Sequence, residues 1–252
     1  MDEQLQRHYA QLARTYDDTW GQRPAYLEWM ADLIRDRLRA HPGQRIADVG
    51  AGTGLFLSRL LPCADARTPL VCVDPSQEML DQLPDDPRLR PLRATAEELG
   101  DPDTALPYDA FDAVLVKEAV HHFADLDATL AGLAGRLAPG GRLLVVTIPP
   151  KLDYPLFQEA LDRFADRQPE PEAVAAGMRR AGLAVTHTTE QYRVGIERER
   201  WLRLVGNRWM SVLSTFGDEE LKRGLEEVTE RHPDAWLEFD DRFAFVLGER
   251  TA

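Results

Sequence analysis

The residues best suited to chemistry form a glycine run, Asp48-Val49-Gly50-Ala51-Gly52-Thr53-Gly54. It follows a short apolar stretch and precedes an apolar-periodic one, as a turn from strand to helix does. Glycine permits the unusual backbone angles of such a turn and lets a ligand approach the main chain closely. A dinucleotide-binding turn, G-x-G-x-x-G, needs a third glycine where Leu55 stands, and here it comes one residue early. Twenty-four residues beyond Gly50, Asp74 ends a second apolar stretch, Leu70-Val71-Cys72-Val73. A carboxylate at that place can accept both hydroxyl protons of a ribose. Asp74 could also cap a helix, since Asp74 and Ser76 flank Pro75 and open the helical stretch 77–83; the two roles are compatible. A third group is Lys117-Glu118-Ala119-Val120-His121-His122-Phe123. Histidine suits a general base, because its unperturbed pKa of ~6.5 leaves neutral imidazole at pH 7. Neighbouring residues on a helical turn diverge by about 100 degrees, so at most one of the pair should face a cleft. Packing or local hydrogen bonding would explain either imidazole equally well. Adjacent histidines lack the i, i+4 spacing of helical zinc ligands, and no metal is expected.

These groups need a scaffold. Helical periodicity marks Leu5, Tyr9, Leu12 and Tyr16, and again 26–38 after Pro24. His41-Pro42-Gly43 stops it, and short strands are then predicted at 45–49, 70–73, 89–92, 111–116, 141–148, 183–188 and 242–247, most separated by helical stretches. Such alternation predicts an α/β fold: a Rossmann-like, seven-stranded, mostly parallel sheet with helices on both faces. Asp240 to Leu247 alternates weakly and is expected as an antiparallel edge strand. Two stretches fall outside the alternation. One is 150–168, with its prolines and an apolar helix pattern; the other is 197–232, with Trp201, Val205, Trp209, Val212 and Leu213 on one helical stripe and Leu221, Leu225 and Val228 on another. The expected organisation is N-terminal lid helices over 1–41, a ligand-binding core over 42–190, a helical lid insertion over 191–232 and a final strand over 233–252 completing the sheet.

The run Asp48-x-Gly50-x-Gly52-x-Gly54, Asp74, Phe111-Asp112-Ala113-Val114-Leu115-Val116 and Leu137-Ala138-Pro139-Gly140-Gly141-Arg142-Leu143 together resemble the class I S-adenosylmethionine-dependent methyltransferases over most of residues 42–149. The stretch YAQLARTYD near the N-terminus and the tail from Trp209 to Gly248 look like the small-molecule branch, of methyltransferase type 11/25. The resemblance implies that Asp48, Gly50, Gly52 and Gly54 meet the methionine part of S-adenosylmethionine. It further implies that Asp74, with Pro75, holds the ribose, that Met79 packs on the adenine, and that Lys117 borders the cofactor. Thr95-Ala96-Glu97 corresponds to the segment beside the adenine amino group. The family commonly has aspartate where Thr95 stands, so that contact is weaker here or made by Glu97. Tyr16 is the best candidate, by resemblance, to cover the methyl donor. Methyl transfer is an in-line displacement that needs the nucleophile held close, with a base if it carries a proton; His121 and His122 are the candidates. Tyr9, Trp20, Arg23, Trp201, Trp209 and Met210 are further lid residues, most of them expected in the core.

Composition narrows the partners. The 252 residues include 43 acidic and 30 basic side chains, for a net charge of −13, which repels polyanions. Hydrophobic content of 44% with 29% charged residues suits a water-soluble globule, and no run approaches the ~18 apolar residues of a membrane span. The opening residues are acidic without an apolar core, so no secretory leader is expected and the cytoplasm is the expected location. Cys63 and Cys72 form no metal-ligand pattern and are expected as small core residues. The expected function is methyl transfer from S-adenosylmethionine to a small-molecule acceptor, in secondary metabolism. Methylation of nucleic-acid amino groups is disfavoured, because no Asn/Asp-Pro-Pro-Tyr follows the fourth strand and Pro149-Pro150 follow the fifth. Leu55 and the lack of any Tyr-x-x-x-Lys pair argue against a nicotinamide oxidoreductase. A repurposed member catalysing cyclisation, elimination or decarboxylation keeps the fold and cofactor and changes the reaction. A non-enzymatic scaffold is disfavoured, since all three motif glycines are present.

Overall fold

The computed structural model describes residues 23–251, and Leu5, Tyr9, Leu12, Tyr16 and Trp20 lie outside the described residues. Its centre is one seven-stranded sheet of β1 (Ile46–Val49), β2 (Leu70–Asp74), β3 (Leu89–Arg93), β4 (Phe111–Lys117), β5 (Leu137–Thr147), β6 (Ala184–Glu197) and β7 (Trp236–Glu249). The spatial order is β3-β2-β1-β4-β5-β7-β6, with β1 to β5 mutually parallel and β7 antiparallel to both neighbours. Every residue of β1 and β2 is buried. Side chains alternate across the sheet, so Val49, Val71, Val73, Val114 and Val116 join one core while Ile46, Leu70, Cys72, Ala113 and Leu115 join the core on the other face. Cys63 and Cys72 are both buried free thiols. The chain leaves β1 toward β2 and β3, then returns to β4 on the other side of β1. A crevice opens at that reversal, beyond the carboxyl ends of the strands.

Helices cover both faces. Pro24 opens α1 (Pro24–Leu38), whose Tyr26, Leu27, Met30, Ile34 and Leu38 are buried at helical spacing. The helices after the first two strands are short: α2 (Leu57–Leu60) gives way to a 3-10 turn at Leu61–Cys63, where Pro62 cannot continue the backbone ladder, and α3 spans only Gln77–Leu80. Beyond them are α4 (Ala96–Gly100), α5 (Leu126–Gly135) and α7 (Pro171–Arg180) on the sheet. The remaining helices, α6 (Gln158–Ala165), α8 (Arg198–Gly206) and α9 (Asp218–Arg231), lie in the cap. Among the described residues, no helix is long and apolar enough to cross a membrane, and no cluster of three or more His, Cys, Asp or Glu could hold a metal ion.

The end of the sheet differs from expectation. The strand containing Asp240 to Leu247 is antiparallel but interior, inserted between β5 and β6. Burial explains the choice: Phe243, Ala244, Phe245 and Val246 are buried, whereas Thr186, His187, Thr188 and Thr189 of β6 are exposed, as an edge strand requires. β7 pairs with β5 only from Ala244 onward, and its first half pairs with β6 alone, forming a two-stranded ribbon that outruns the sheet. The cap packs on this ribbon through its own core, including Tyr154, Phe157, Trp201, Phe216, Leu237 and Phe239. A division at residue 190 therefore falls inside β6, which belongs to both the sheet and the cap. The helical stripe from Trp201 to Leu213 is also broken. α8 ends at Gly206, Arg208 takes a left-handed φ of +55, and a 3-10 turn follows at Ser211–Thr215.

Candidate functional site

A cavity of about 250 Å³ opens at the carboxyl ends of β1, β2 and β4. Its wall brings together Asp48, Gly50, Gly52, Asp74, Pro75, Met79, Thr95, Ala96, Glu97, Lys117 and His122. The glycines have different tasks. At Gly50, with φ +77, an added Cβ would stand 2.5 Å from the Cβ of Ala119, so its bareness lets the turn after β4 close against the loop. At Gly52, with φ +57, an added Cβ would meet nothing within 4 Å and would point into open space. Gly54 does not reach the wall; an added Cβ there would stand 2.5 Å from Leu83 Cδ2, which makes it a packing residue.

Asp74 ties this loop to the next. Its Oδ2 accepts the Gly52 N–H at 2.9 Å and its Oδ1 accepts the Ser76 N–H at 2.8 Å. The N-cap of α3 is Ser76, whose hydroxyl accepts the Met79 N–H at 3.3 Å, so Asp74 is not engaged as that cap. Burial pushes the Asp74 carboxyl up, opposed by the two N–H donors. Asp48, only 5% exposed, is pushed up to about 7 by burial, while the Lys117 ammonium pulls it down and the Asp74 charge adds to the rise. Lys117 is itself held: its Nζ lies 4.2 Å from the Phe56 ring centre and 3.2 Å from Glu118 Oε1. Glu118, at φ +53, carries backbone strain in the turn just beyond β4.

Thr95 and Glu97 are engaged in structural bonds. The Thr95 hydroxyl accepts the Glu98 N–H at 3.2 Å, one half of a capping box that starts α4. Glu97 Oε1 accepts the Ala124 N–H at 3.0 Å and the Thr129 hydroxyl at 3.3 Å, clamping the loop after the histidine pair. Burial alone would raise the Glu97 carboxyl, but these donors hold it below the usual range.

The histidine pair divides. A 3-10 turn at Val120–His122 sets the two rings with centres 3.9 Å apart and planes 51° from parallel, and they line different spaces. His122 borders the main cavity, and His121 borders a second, smaller recess instead. His121 Nδ1 is sealed from solvent without a hydrogen-bond partner, although the residue as a whole keeps some exposure. Burial, aided by the charge of Arg167, pushes its imidazole down to about 4. At neutral pH His121 is uncharged and weakly basic, and of the two rings only His122 borders the main cavity.

The main cavity extends under the cap, where Ile148, Tyr154, Trp209 and Asp241 border it. The Tyr154 hydroxyl donates to Asp241 Oδ1, and both side chains are buried. Sequence reasoning missed Tyr154 and Asp241. A signal for Asp241 exists: at period two it shares the inward face of β7 with Phe239 and Phe243, and a carboxylate among phenylalanines is out of place in a purely structural strand.

Residues 47–143 match the family model described as a methyltransferase domain. A tRNA U34 carboxymethyltransferase from Pseudoalteromonas atlantica is 27% identical over 198 residues, 73% of this chain and 57% of that protein. A ubiquinone/menaquinone biosynthesis C-methyltransferase, UbiE, from Vibrio parahaemolyticus is 34% identical over 114 residues, 42% of each chain. The chain thus spans between two fifths and three fifths of these relatives. Among solved structures, a candidate methyltransferase described as from an antibiotic biosynthesis pathway of Anabaena variabilis has a TM-score of 0.66 at 20% identity, over 87% of this chain and 96% of that one. The [4+2]-cyclase SpnF has a TM-score of 0.57 at 17% identity, over 89% of this chain and 81% of that one.

The residues present fit the cofactor such proteins use. S-Adenosylmethionine carries an ammonium and a sulfonium, and two buried carboxylates, Asp48 and Asp74, stand on one wall. Its bulk needs main chain without side chains, and the Cβ position of Gly52 faces open space. Its adenine needs an apolar surface, which Pro75, Met79 and Ala96 provide. Residues 47–143 thus carry a methyltransferase domain, and the sheet and this cavity have the form found in the S-adenosylmethionine-dependent methyltransferase fold.

Proposed function

We propose that this chain methylates a small-molecule acceptor that enters under the cap. The observation that carries the reading is the continuity of the cavity. One space runs from the glycine loop and Asp74 to Ile148, Tyr154, Trp209 and Asp241, so a donor and an acceptor can share it. When bound, S-adenosylmethionine supplies a methyl group on a sulfonium sulfur that is open to in-line displacement. The chain's own residues supply position: Asp48, Gly50 and Gly52 hold the methionine end, Asp74 and Pro75 the ribose, and Met79, Thr95, Ala96 and Glu97 the adenine. Lys117 borders the same space, and Gly54 supports the loop by packing. Tyr16, from the N-terminal segment, covers the donor. His122 takes the proton of an acceptor that carries one. The cap excludes water and selects the acceptor, as its aromatic core suits.

In this reading the protein works in the cytoplasm, in secondary metabolism, without nucleic acid, membrane or metal. The net charge of −13 supports the absence of a polyanionic partner, and the antibiotic-pathway description of a structural neighbour supports the metabolic setting. A second reading, a non-methylating reaction such as cyclisation, is favoured by the shared fold of SpnF. The test is a screen of phenols, amines and activated methylene compounds with S-adenosylmethionine labelled in its methyl group. Label appearing in an acceptor, with one S-adenosylhomocysteine formed per product, supports methyl transfer. Product formation with the cofactor unconsumed supports the second reading instead.

A further inference from the structure

Beside the main cavity lies a recess of about 80 Å³, sharing with it Glu118, Ile148 and Trp209. Four parts of the chain build it: the turn after β4, the end of β5 at Thr147, the α6 region with Phe164 and Gln168, and the cap segment from Trp209 to Ser211. Phe164, Ile148 and Met210 make its walls apolar, while His121, Thr147, Gln168 and Ser211 give it polar groups. This is the composition of a specific small-molecule site, apolar with a few polar groups that fix orientation. Its volume equals two to three waters at ~30 Å³ each, the size of a carboxamide or a short hydroxyl-bearing end.

Its polar groups are under-used. His121 Nδ1 is sealed from solvent and has no partner among the described residues. Thr147 Oγ1 makes only long contacts, 3.4 Å to the Ile148 carbonyl and 3.5 Å to Gln168 Oε1, at the outer limit of a hydrogen bond. Both atoms are closed to water in the unliganded form, and a buried polar atom left unmatched is unfavourable, so a group that enters the recess and pairs with them after a small side-chain shift is favoured. Charge selects that group. The one carboxylate on the wall, Glu118, is already paired with Lys117 at 3.2 Å, and Arg167, whose charge reaches His121, does not border the recess, so the wall offers no unpaired charge to a bound cation or anion. We propose that this recess is an acceptor subsite for a neutral hydrogen-bonding end group, a carboxamide, hydroxyl or carbonyl, read by His121, Thr147, Gln168 and Ser211. A neutral His121 imidazole, which its depressed proton affinity maintains at physiological pH, can donate from one nitrogen and accept at the other. His121 then serves binding, while its neighbour faces the cofactor side.

The subsite rests on the methyltransferase reading for the identity of its occupant as acceptor, and its test separates the two. The imidazole resonances of His121 are followed by NMR in protein saturated with S-adenosylhomocysteine while acetamide, acetate or methylammonium is added at millimolar levels. Acetamide is expected to shift the His121 signals saturably, and the two charged probes are not. Phe164→Trp, which fills the recess, and Ser211→Leu, which narrows it from the opposite wall, are both expected to abolish the response while calorimetry shows unchanged S-adenosylhomocysteine affinity. An unmoved His121 signal, meaning that water alone occupies the recess, overturns the proposal. So does an equal response to the charged probes, or an acetamide response that survives in a folded blocking variant. If S-adenosylhomocysteine fails to bind, the cofactor reading falls, and the acetamide titration still decides the recess.

Discussion

Asp74→Asn isolates the contact assigned to the ribose. A carboxylate offers about four lone-pair sites. The Gly52 and Ser76 N–H groups, at 2.9 Å and 2.8 Å, occupy one on each oxygen and leave one on each for a ribose diol. Asparagine keeps a single acceptor oxygen, so its amide NH₂ must face one of the two N–H donors or the ribose. A hydrogen bond to a charged group is worth about 1.5–3 kcal/mol. Its loss therefore corresponds to a rise in dissociation constant of about 10- to 150-fold. The unliganded protein should suffer less, because burial already raises the proton affinity of Asp74, and removing its charge relieves desolvation that offsets a weakened N–H bond. Calorimetry with S-adenosylhomocysteine and its 2′-deoxy counterpart reads the effect. The parent should discriminate against the deoxy compound and the variant should scarcely do so. A variant that binds within about threefold of the parent, or that keeps the full penalty for the missing hydroxyl, refutes the assignment.

Other outcomes follow from the same geometry. Gly52→Ala should weaken cofactor binding at least about tenfold by placing a methyl in ligand space, with about 1 kcal/mol of backbone strain lowering the melting temperature; Gly54→Ala should instead act mainly on stability, through the clash with Leu83. His122→Ala should depress turnover by about 100-fold on an acceptor that loses a proton, leaving cofactor affinity intact, while His121→Ala should act through the acceptor KM; a kcat loss confined to His121→Ala would contradict this. Asp48 has a folded-state pKa of about 7 against 3.8 as a free side chain, so between those values the native state holds a proton that the unfolded state has released. Its contribution to apo stability is thus most favourable below pH 4 and declines as pH rises toward 7, by up to about 1.4 kcal/mol per unit, a slope that Asp48→Asn should remove in denaturation curves. A cofactor ammonium beside Asp48 favours the ionised form, so binding should tighten from pH 6 to pH 8 with proton uptake by buffer, and a flat profile would count against that contact.

Much of this was legible in the sequence because it rests on local rules. The apolar runs at Ile46, Leu70, Phe111 and Leu143 read as buried strands by their shortness and their β-branched residues, and a glycine-rich turn after the first of them marks the ligand edge of a parallel sheet. The position of β7 was not legible. Asp240 to Leu247 looks like an edge by its charges, yet pairing with both β5 and β6 buries Phe243 to Val246, and only tertiary contact decides between the two. The cap helices were visible as stripes, but the left-handed turn at Arg208 that redirects Trp209 was not, since arginine carries no turn signal. The histidine pair shows the same limit: angular divergence established that the two rings part, while the 3-10 geometry determined which one faces the cavity. Thr95-x-x-Glu98 carries a capping-box signature in the sequence itself, whereas the clamp by Glu97 depends on a neighbour 27 residues away.

The most direct measurement is the melting temperature of the purified protein as S-adenosylhomocysteine is added. A ligand seated between the glycine loop and Asp74 should raise it with a one-site dependence, corresponding to about 2.7 kcal/mol when the concentration reaches about 100 times the dissociation constant. No rise at millimolar ligand, or an equal rise with a nicotinamide dinucleotide, would contradict the account.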